Sequence, residues 1–495
     1  MPSDPNLTFE RWLRALPPAR LDALSRRYAA RAADLGLCVT LPDLTRVPIP
    51  PVLSPVVLDD AWLHARQADA TQLAELIRRV TAGMLEGPER EEVLAALYPI
   101  ERSAIEHSGA PKQLATVRAD LFLGARGPQA LELNTTIPAM QGYSDIAARA
   151  FMEAVGEALG LDEPTISQAV EANGENALAL LEALQTFSQS RFGRRFESVA
   201  LVHRPADSQL GELHHLARRW ASLGLRTHVV EVGELAWDGA STVTASGAKV
   251  EFVYRHIFAR RVEPQSGLGR LLHQPEAFPF ANPVSAPLEM KRTFAELSRT
   301  AHEPALAKRL GLTDPDLELV RRFVPWTRPF TRGPTELPDG SRVDDLVEHV
   351  ARTPEHFVLK RSWDYGGKAV FLGFEAERPE TAARERDAFG EALGWAELCK
   401  RASVDPRGGG FVVQERVVAQ PAEHLLVTPE GPRWQRFFTD LSVFASVGQA
   451  QPRWGGVVRA SNSAVVNIAS GGGVAPVLRA GAAAPLLAAA EKVRP

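Results

Sequence analysis

The segment FVLKRSWDYGGKAVFLG, residues 357–373, restricts the fold of this chain more than any other. An apolar strand ends at Lys360, passes Asp364, turns on Gly366 and Gly367 beside Lys368, and resumes as an apolar strand. Adjacent glycines reach backbone conformations closed to other residues and let main-chain N–H groups approach an anion, while a lysine on the flanking strand adds a compact positive charge. An ordinary hairpin with a Gly-Gly turn is the competing reading of this segment taken alone.

Composition narrows the partners. At 495 residues and 45% hydrophobic content the chain can support two or three subdomains with their own cores. A formal charge of -4 and a pI near 6.3 leave no basic excess to neutralise a nucleic-acid backbone, so small molecules are the expected partners. The N-terminal segment interleaves charges with apolar residues, and no apolar run reaches about 18 residues, so neither a secretory signal nor a membrane span is expected. Cys38 and Cys399 are too few and too far apart for a disulfide framework or a metal knuckle. Both read as core residues in apolar helical surroundings, and a reducing cytoplasm is the expected location. Of the 56 basic residues 48 are arginine, so a lysine kept within a motif stands out, because arginine changes the geometry at a phosphate.

Periodicity gives the organisation. Apolar residues recur at three and four from Phe9 to Leu35 and again from Ala68 to Met84, predicting amphipathic helices on either side of a proline-rich loop, 47–58. Strands are predicted at Val117–Phe122 and Ala130–Asn134 around a tight turn, then a helix over 145–159. VALVH (199–203), a helix over 210–223, HVVEV (228–232) and EFVYR (251–255) form a small α/β unit, with His203 and Arg255 at strand ends, where ligand loops of such sheets lie. A helix is expected to start near Leu288 and to contain Lys291. The stretch 318–475 reads as mostly strand and turn with one helix near 385–393, and an alanine-rich terminal helix follows. Domain limits are expected at 1–190, 191–285 and 286–495.

Three further patterns accompany the glycine turn. VRAD (117–120) and LELN (131–134) put Glu132 and Asn134 two residues apart on one strand face, where a carboxylate and an amide oxygen can share a hard cation with phosphates. FVVQERVV (411–418) is an apolar strand interrupted by Gln414, Glu415 and Arg416, suited to present backbone groups to a purine edge. WGGVVRASNSAVVNIASGGGVAPV (454–477) places Arg459 and Asn467 on successive strands before Gly471, Gly472 and Gly473. There an arginine can hold a phosphoryl group or carboxylate, and glycines can admit substrate backbone. Each pattern alone also describes an exposed strand face or turn. The twelve histidines include no H-x3-H pair beside a carboxylate, which argues against zinc.

Taken together, these motifs resemble the ATP-grasp ligases. The order, with E-x-N ahead of the glycine turn and the QER hinge, is similar to the circularly permuted branch that includes eukaryotic glutathione synthetase and glutathionylspermidine synthetase. RADLFLGARGPQALELNTTIPAMQGYSDIAARA and FVYRHIFARR carry the likeness as well. The resemblance implies an α+β fold, a circularly permuted ATP-grasp with an inserted α/β substrate domain, which uses ATP and Mg2+ to join a carboxylate to an amine. Carried over by position, Glu132, Asn134 and Asp364 would bind metal. Lys291, Lys360, Gly366, Gly367 and Gln414 would bind the nucleotide, with Glu415 and Val417 holding adenine through their backbone. Arg118, Arg255 and Arg459 would act on the substrate carboxylate or acyl phosphate, and Asp120, Asn467 and Gly471–Gly473 would face substrate. Asp364 stands where the family has glutamate, and the loop after Asn134 departs from the family's serine-rich substrate loop. A homodimer, a non-catalytic nucleotide- or peptide-binding protein and a phosphoryl transferase remain as further possibilities at this stage.

Overall fold

The computed structural model describes residues 4–419, 421–448, 455–466 and 472–492. Its centre is an antiparallel sheet in which Gly431–Val447 lies between Leu114–Gly124 and Gly456–Ser461. Gly127–Asn134 and Gly473–Ala475 extend it on the two sides, and Ala422–Thr428 pairs with the first half of the long strand. Alternation gives this sheet two unlike faces. Val117, Ala119, Leu133, Val443, Ala445 and Val458 join one apolar core under the helix Asp60–Glu86. The opposite face carries Arg118, Asp120, Glu132, Asn134, Asp440, Ser442 and Arg459, and the helix Gln141–Ala158 covers one end of it over Phe444, Val457 and Val474.

A second antiparallel sheet, in the order Thr327–Pro329, Phe411–Glu415, Phe357–Arg361, Val370–Leu372, packs its own core against Leu346–Arg352 and Trp395–Ala402. A third, parallel sheet runs Phe280–Ala281, Phe252–His256, Ser198–His203, Arg226–Glu231, with Leu210–Ala221 as the crossover helix. Among the described residues no helix is long and apolar enough to cross a membrane.

Several sequence expectations change. The helix read from Phe9 to Leu35 is two helices, Pro5–Ala15 and Pro18–Leu35, because Leu16 and Pro17 are both extended (ψ 134° and 142°). The residue before a proline disfavours helical geometry, and apolar spacing alone does not register that. The helix expected around Lys291 breaks at Met290 (ψ 132°) into Ala286–Glu289 and Lys291–Thr300. The 318–475 region holds more helix than expected: Leu346–Arg352 and Trp395–Ala402 were missed, and the expected helix at 385–393 is Pro379–Phe389, ended by Gly390 in the left-handed region at φ 86°. Cys38 is buried in a strand instead of a helix, whereas Cys399 is buried in Trp395–Ala402.

Gly211 shows how closely the parallel unit docks on the N-terminal region. A Cβ there would lie 2.5 Å from the Gly36 carbonyl oxygen and 3.0 Å from the Cys38 carbonyl oxygen. Inside a helix alanine normally outperforms glycine by about 0.5–1 kcal/mol. Here overpacking, about 1–3 kcal/mol, opposes it and wins. Gly211→Ala is expected to lower the thermal unfolding midpoint; an increase in a calorimetric scan would show that this contact is loose.

Candidate active site

Strand register builds the site. Asp120 stands opposite Glu132 on one neighbouring strand and Ser442 on the other, Arg118 opposite Asn134, and Asp440 opposite Arg459. Directly opposed side chains on one face come within contact range, and here they form a polar network. Arg118 grips Asp120 in a bidentate pair, Nε to Oδ1 at 2.7 Å and Nη2 to Oδ2 at 3.0 Å, and its Nη1 donates to the Ala139 carbonyl at 3.0 Å. Asp120 also accepts from Asn134 Nδ2 (3.1 Å), Ser442 Oγ (2.9 Å) and Arg459 Nη2 (2.8 Å). Arg459 is forked onto Asp440, with Nε to Oδ1 at 3.1 Å and a second bond from Nη2. Burial pushes the Asp120 carboxyl up, but Arg118 and Arg459 outweigh it and hold that group well below the usual carboxylate range.

The ladder between Leu114–Gly124 and Gly127–Asn134 skips Leu131: Asp120 pairs with Glu132 and Leu121 with Ala130. Such a bulge removes one residue from the ladder. The Leu131 carbonyl accepts from Lys360 Nζ of the second sheet at 3.3 Å, and the same amine donates to Gln414 Oε1 at 2.8 Å. Gln414 is itself held by a bond from its Nε2 to Thr327 Oγ1 at 3.1 Å. Lys291 opens its helix immediately after the break at Met290, with its N–H bonded to the Ser362 carbonyl at 2.9 Å. Its Nζ donates to the Asp364 carbonyl at 2.7 Å and lies 3.4 Å from Glu132 Oε2. Burial lowers the Lys360 amine to about 8, against the opposing charge of Glu132. Burial also raises the Glu132 carboxyl, but Lys291, helped by Lys360 and Arg459, brings it below its ordinary value.

Between the two sheets lies a cleft lined by Arg118, Asp120, Glu132 and Asn134 from the first, and by Lys291, Lys360, the turn Asp364–Lys368 and the hinge Gln414–Val417. Gly366 and Gly367 are both left-handed (φ 65° and 73°), and a Cβ on Gly367 would lie 2.7 Å from Val465, so the turn closes against the segment that follows Arg459. The Glu415 N–H donates to the Trp326 carbonyl at 2.8 Å, and its carboxylate takes the Trp326 N–H at 2.7 Å and pairs with Arg126. The Val417 N–H has no backbone partner among the described residues.

Three expected assignments do not fall in this cleft. Arg255 is fully buried elsewhere, its guanidinium donating to the carbonyls of Asn282 (3.0 Å), Ile257 (2.6 Å) and Pro283 (3.1 Å). Its position near a strand end is explained by the need to satisfy those carbonyls. Gly472 and Gly473 are not in the wall either; the missing Cβ of Gly473 leaves room for the Pro50 carbonyl, 2.6 Å from where it would stand. Asn467 and Gly471 lie outside the described residues. Two members of the polar network lie outside the sequence expectations: Asp440, which lines the cleft, and Ser442, which is buried beneath it on Asp120. The signal was present in TDLSVF, where two polar residues stand two apart in an apolar strand, the same spacing as R-x-D and E-x-N.

A separate buried polar cluster sits at the carboxyl ends of the parallel strands. Glu212 accepts from the N–H groups of Met140 (2.7 Å) and Gly142 (3.1 Å), and His256 lies 3.7 Å from Asp207. Neither ring nitrogen of His256 has a hydrogen-bond partner among the described residues.

No protein-family model matches the chain, and no curated protein matches it. Among solved structures, the glutathione synthetase-like effector GSS30 from Globodera pallida, in its apo form, aligns over 94% of this chain and 98% of its own with a TM-score of 0.60 at 14% identity. A putative gamma-glutamylcysteine synthetase from Methylobacillus flagellatus aligns over 78% of this chain and 83% of its own at 13% identity, but its TM-score of 0.34 is too low to support an argument. The mixed α+β architecture of this chain resembles the glutathione synthetase fold, as the branch resemblance in the motifs anticipated.

Proposed function

We propose that this chain is an ATP- and Mg2+-dependent ligase that joins a carboxylate to an amine, built as a circularly permuted ATP-grasp with the parallel-sheet unit as an inserted substrate domain. The observation that carries this reading is the meeting of Glu132 and Asn134 from one sheet with Lys360, Lys291 and the glycine turn from the other, in a single cleft. Its partners are a small carboxylate and an amine, the carboxylate belonging to an amino acid or short peptide, and its setting is the cytoplasm; a homodimer is compatible with all of this.

The residues present fit magnesium in one particular way. Among the described residues no group of three or more His, Cys, Asp and Glu could hold a metal on its own. Magnesium in phosphate-transferring sites binds one or two carboxylates and completes its shell with phosphate oxygens and water. Glu132 suits this: its side chain is a third exposed, and Lys291 is its one ion-pair partner among the described residues. Asn134 contributes its amide oxygen, since its nitrogen is directed at Asp120. Asp364 would be the third ligand, although its Oδ1 takes the Tyr365 N–H at 2.9 Å and its Oδ2 lies 3.5 Å from Arg361. The ion would neutralise charge on the transferring phosphoryl group.

A carboxylate oxygen of the substrate attacks the γ-phosphorus, ADP departs, and the amine then attacks the acyl phosphate and expels phosphate. The chain supplies positioning and charge for this reaction. Lys291 and Lys360 hold phosphate oxygens, Gly366 and Gly367 cover them with backbone N–H groups, and Val417 offers its N–H to the purine. Arg459, oriented by Asp440 and Asp120, faces the reacting carboxylate, and Arg118 fixes Asp120.

Incubation of the protein with Mg-ATP and pools of amino acids, peptides and polyamines, followed by mass spectrometry, tests the reading. An amide formed with stoichiometric ADP and phosphate supports it; a phosphorylated product without an amide replaces it with phosphoryl transfer. Glu132→Gln is expected to reduce ADP release by about a hundredfold or more, the scale of losing one transition-state charge partner, with little change in thermal midpoint. Unchanged turnover removes Glu132 from the metal site.

Lys360 gives a pH signature. Because burial lowers its amine to about 8, the cation is present below that pH and is lost as pH rises through it. A bound phosphate stabilises the charged form, so affinity for a non-hydrolysable ATP analogue is expected to fall above pH 8 by up to about tenfold per unit, with proton uptake. Lys360→Arg removes the pH step, and a flat calorimetric profile in the unmodified protein separates the lysine from the phosphates.

A further inference from the structure

On the other side of the glycine turn a second cleft opens, sharing Asp364–Lys368 and Val465 with the first. Seven basic and four acidic side chains line it. Two of the acids are already paired, Asp364 with Arg361 at 3.5 Å and Glu375 with Arg378 at 3.0 Å. Arg260 and Arg261, neighbours on the turn Ala259–Arg261, have no carboxylate within ion-pair distance among the described residues, and neither has Lys368.

Aromatic rings hold these cations in place. The Arg260 guanidinium lies 4.4 Å from the ring centre of Tyr365, 4.8 Å from Phe258, 5.0 Å from Tyr98 and 5.1 Å from Trp363. Its Nη2 makes no hydrogen bond. Arg261 Nη2 donates to the Tyr365 hydroxyl at 2.5 Å, and Lys368 Nζ lies 4.8 Å from the same ring. Glu101, behind the cage, accepts from Trp363 Nε1 at 2.9 Å and the Tyr98 N–H at 3.3 Å. Ring faces attract a cation and fix its place but supply no counter-charge. Arg260 feels the Glu101 carboxylate only from beyond ion-pair distance, and Arg261 and Lys368 pair with no carboxylate among the described residues, so three cations gather around one tyrosine with incomplete neutralisation, an arrangement that self-repulsion disfavours unless an anion joins it.

We propose that this cleft is a second anion site, which takes a substrate bearing at least two negatively charged groups, carboxylate or phosphate, held by Arg260, Arg261 and Lys368. The identity of this ligand as the reaction's substrate rests on the ligase reading above; the binding itself does not. The planar guanidinium forks suit carboxylate and phosphate oxygens alike.

Isothermal titration of the full chain with tricarballylate and with tripolyphosphate, the nucleotide cleft saturated with AMP-PNP, tests the site. At least one of these polyanions is expected to bind, and preference between them names the anion class. Arg261→Ala, an exposed side chain, is expected to weaken that binding about tenfold or more while leaving AMP-PNP affinity unchanged. Arg260→Met, which keeps volume inside the ring cage, is expected to act in the same direction. If neither polyanion binds, or if binding is equal in the unmodified protein and Arg261→Ala, the proposal is overturned. Tricarballylate is titrated without AMP-PNP as well, so a failure of the nucleotide analogue to bind counts against the ligase reading and leaves the measurement on this cleft intact.

Discussion

The candidate site depends on one buried carboxylate. Asp120 sits in the middle of the central sheet and is held by Arg118, Asn134, Ser442 and Arg459, which come from all four of the strands that carry the polar face. A buried charge of this kind costs several kcal/mol in desolvation, and only complete pairing and hydrogen bonding offset it. The network is thus satisfied in one register and strongly penalised in any other. A slip of one residue on any of these strands would turn a charged side chain into the core beneath and leave its partners unmatched. What fixes Arg459 toward the cleft is the same set of contacts that fixes the sheet.

Two lysines bridge the second sheet and the first at the cleft. Lys360 reaches the Leu131 carbonyl, and Lys291 spans the distance between Glu132 and the Asp364 carbonyl. Both amines are largely desolvated; neutral acceptors and the Glu132 carboxylate are their nearest partners, and the Asp120 carboxylate acts on Lys360 more weakly. The cleft therefore carries uncompensated positive charge where the two sheets meet. That charge is poor cement for a protein and good preparation for a phosphate, since a ligand finds the donors already oriented.

Much of this was legible in sequence, and the exceptions have physical causes. The two-residue spacings of Arg118 with Asp120 and of Glu132 with Asn134 report strand alternation directly, and the glycine turn reports the left-handed backbone at Gly366 and Gly367. The ALELN run did not disclose its bulge. Simple alternation would place Ala130 beside Glu132 and Asn134, whereas Ala130 is buried with Leu133 in the opposite core. Arg255 misled because its position near a strand end is shared by ligand-binding and carbonyl-capping arginines, and only the positions of Asn282 and Pro283 separate the two. The aromatic cage of Arg260 draws on residues 98, 258, 363 and 365, too scattered for any local pattern to reveal.

The order of strands in the central sheet also bears on how the chain is made. The hairpin Leu114–Asn134 is synthesised early, yet the strand that lies against it, Gly431–Val447, emerges some three hundred residues later. At about 5–20 residues per second this is a wait of roughly 15 to 60 seconds, during which Leu114–Gly124 presents an open edge and Asp120 lacks Ser442 and Arg459. Non-local pairing of this kind slows folding and leaves an aggregation-prone strand uncovered. The helix Asp60–Glu86, complete before the hairpin appears, packs mainly on Gly431–Val447 in the finished core and only lightly on Leu114–Gly124, so its own apolar face waits for the same late strand.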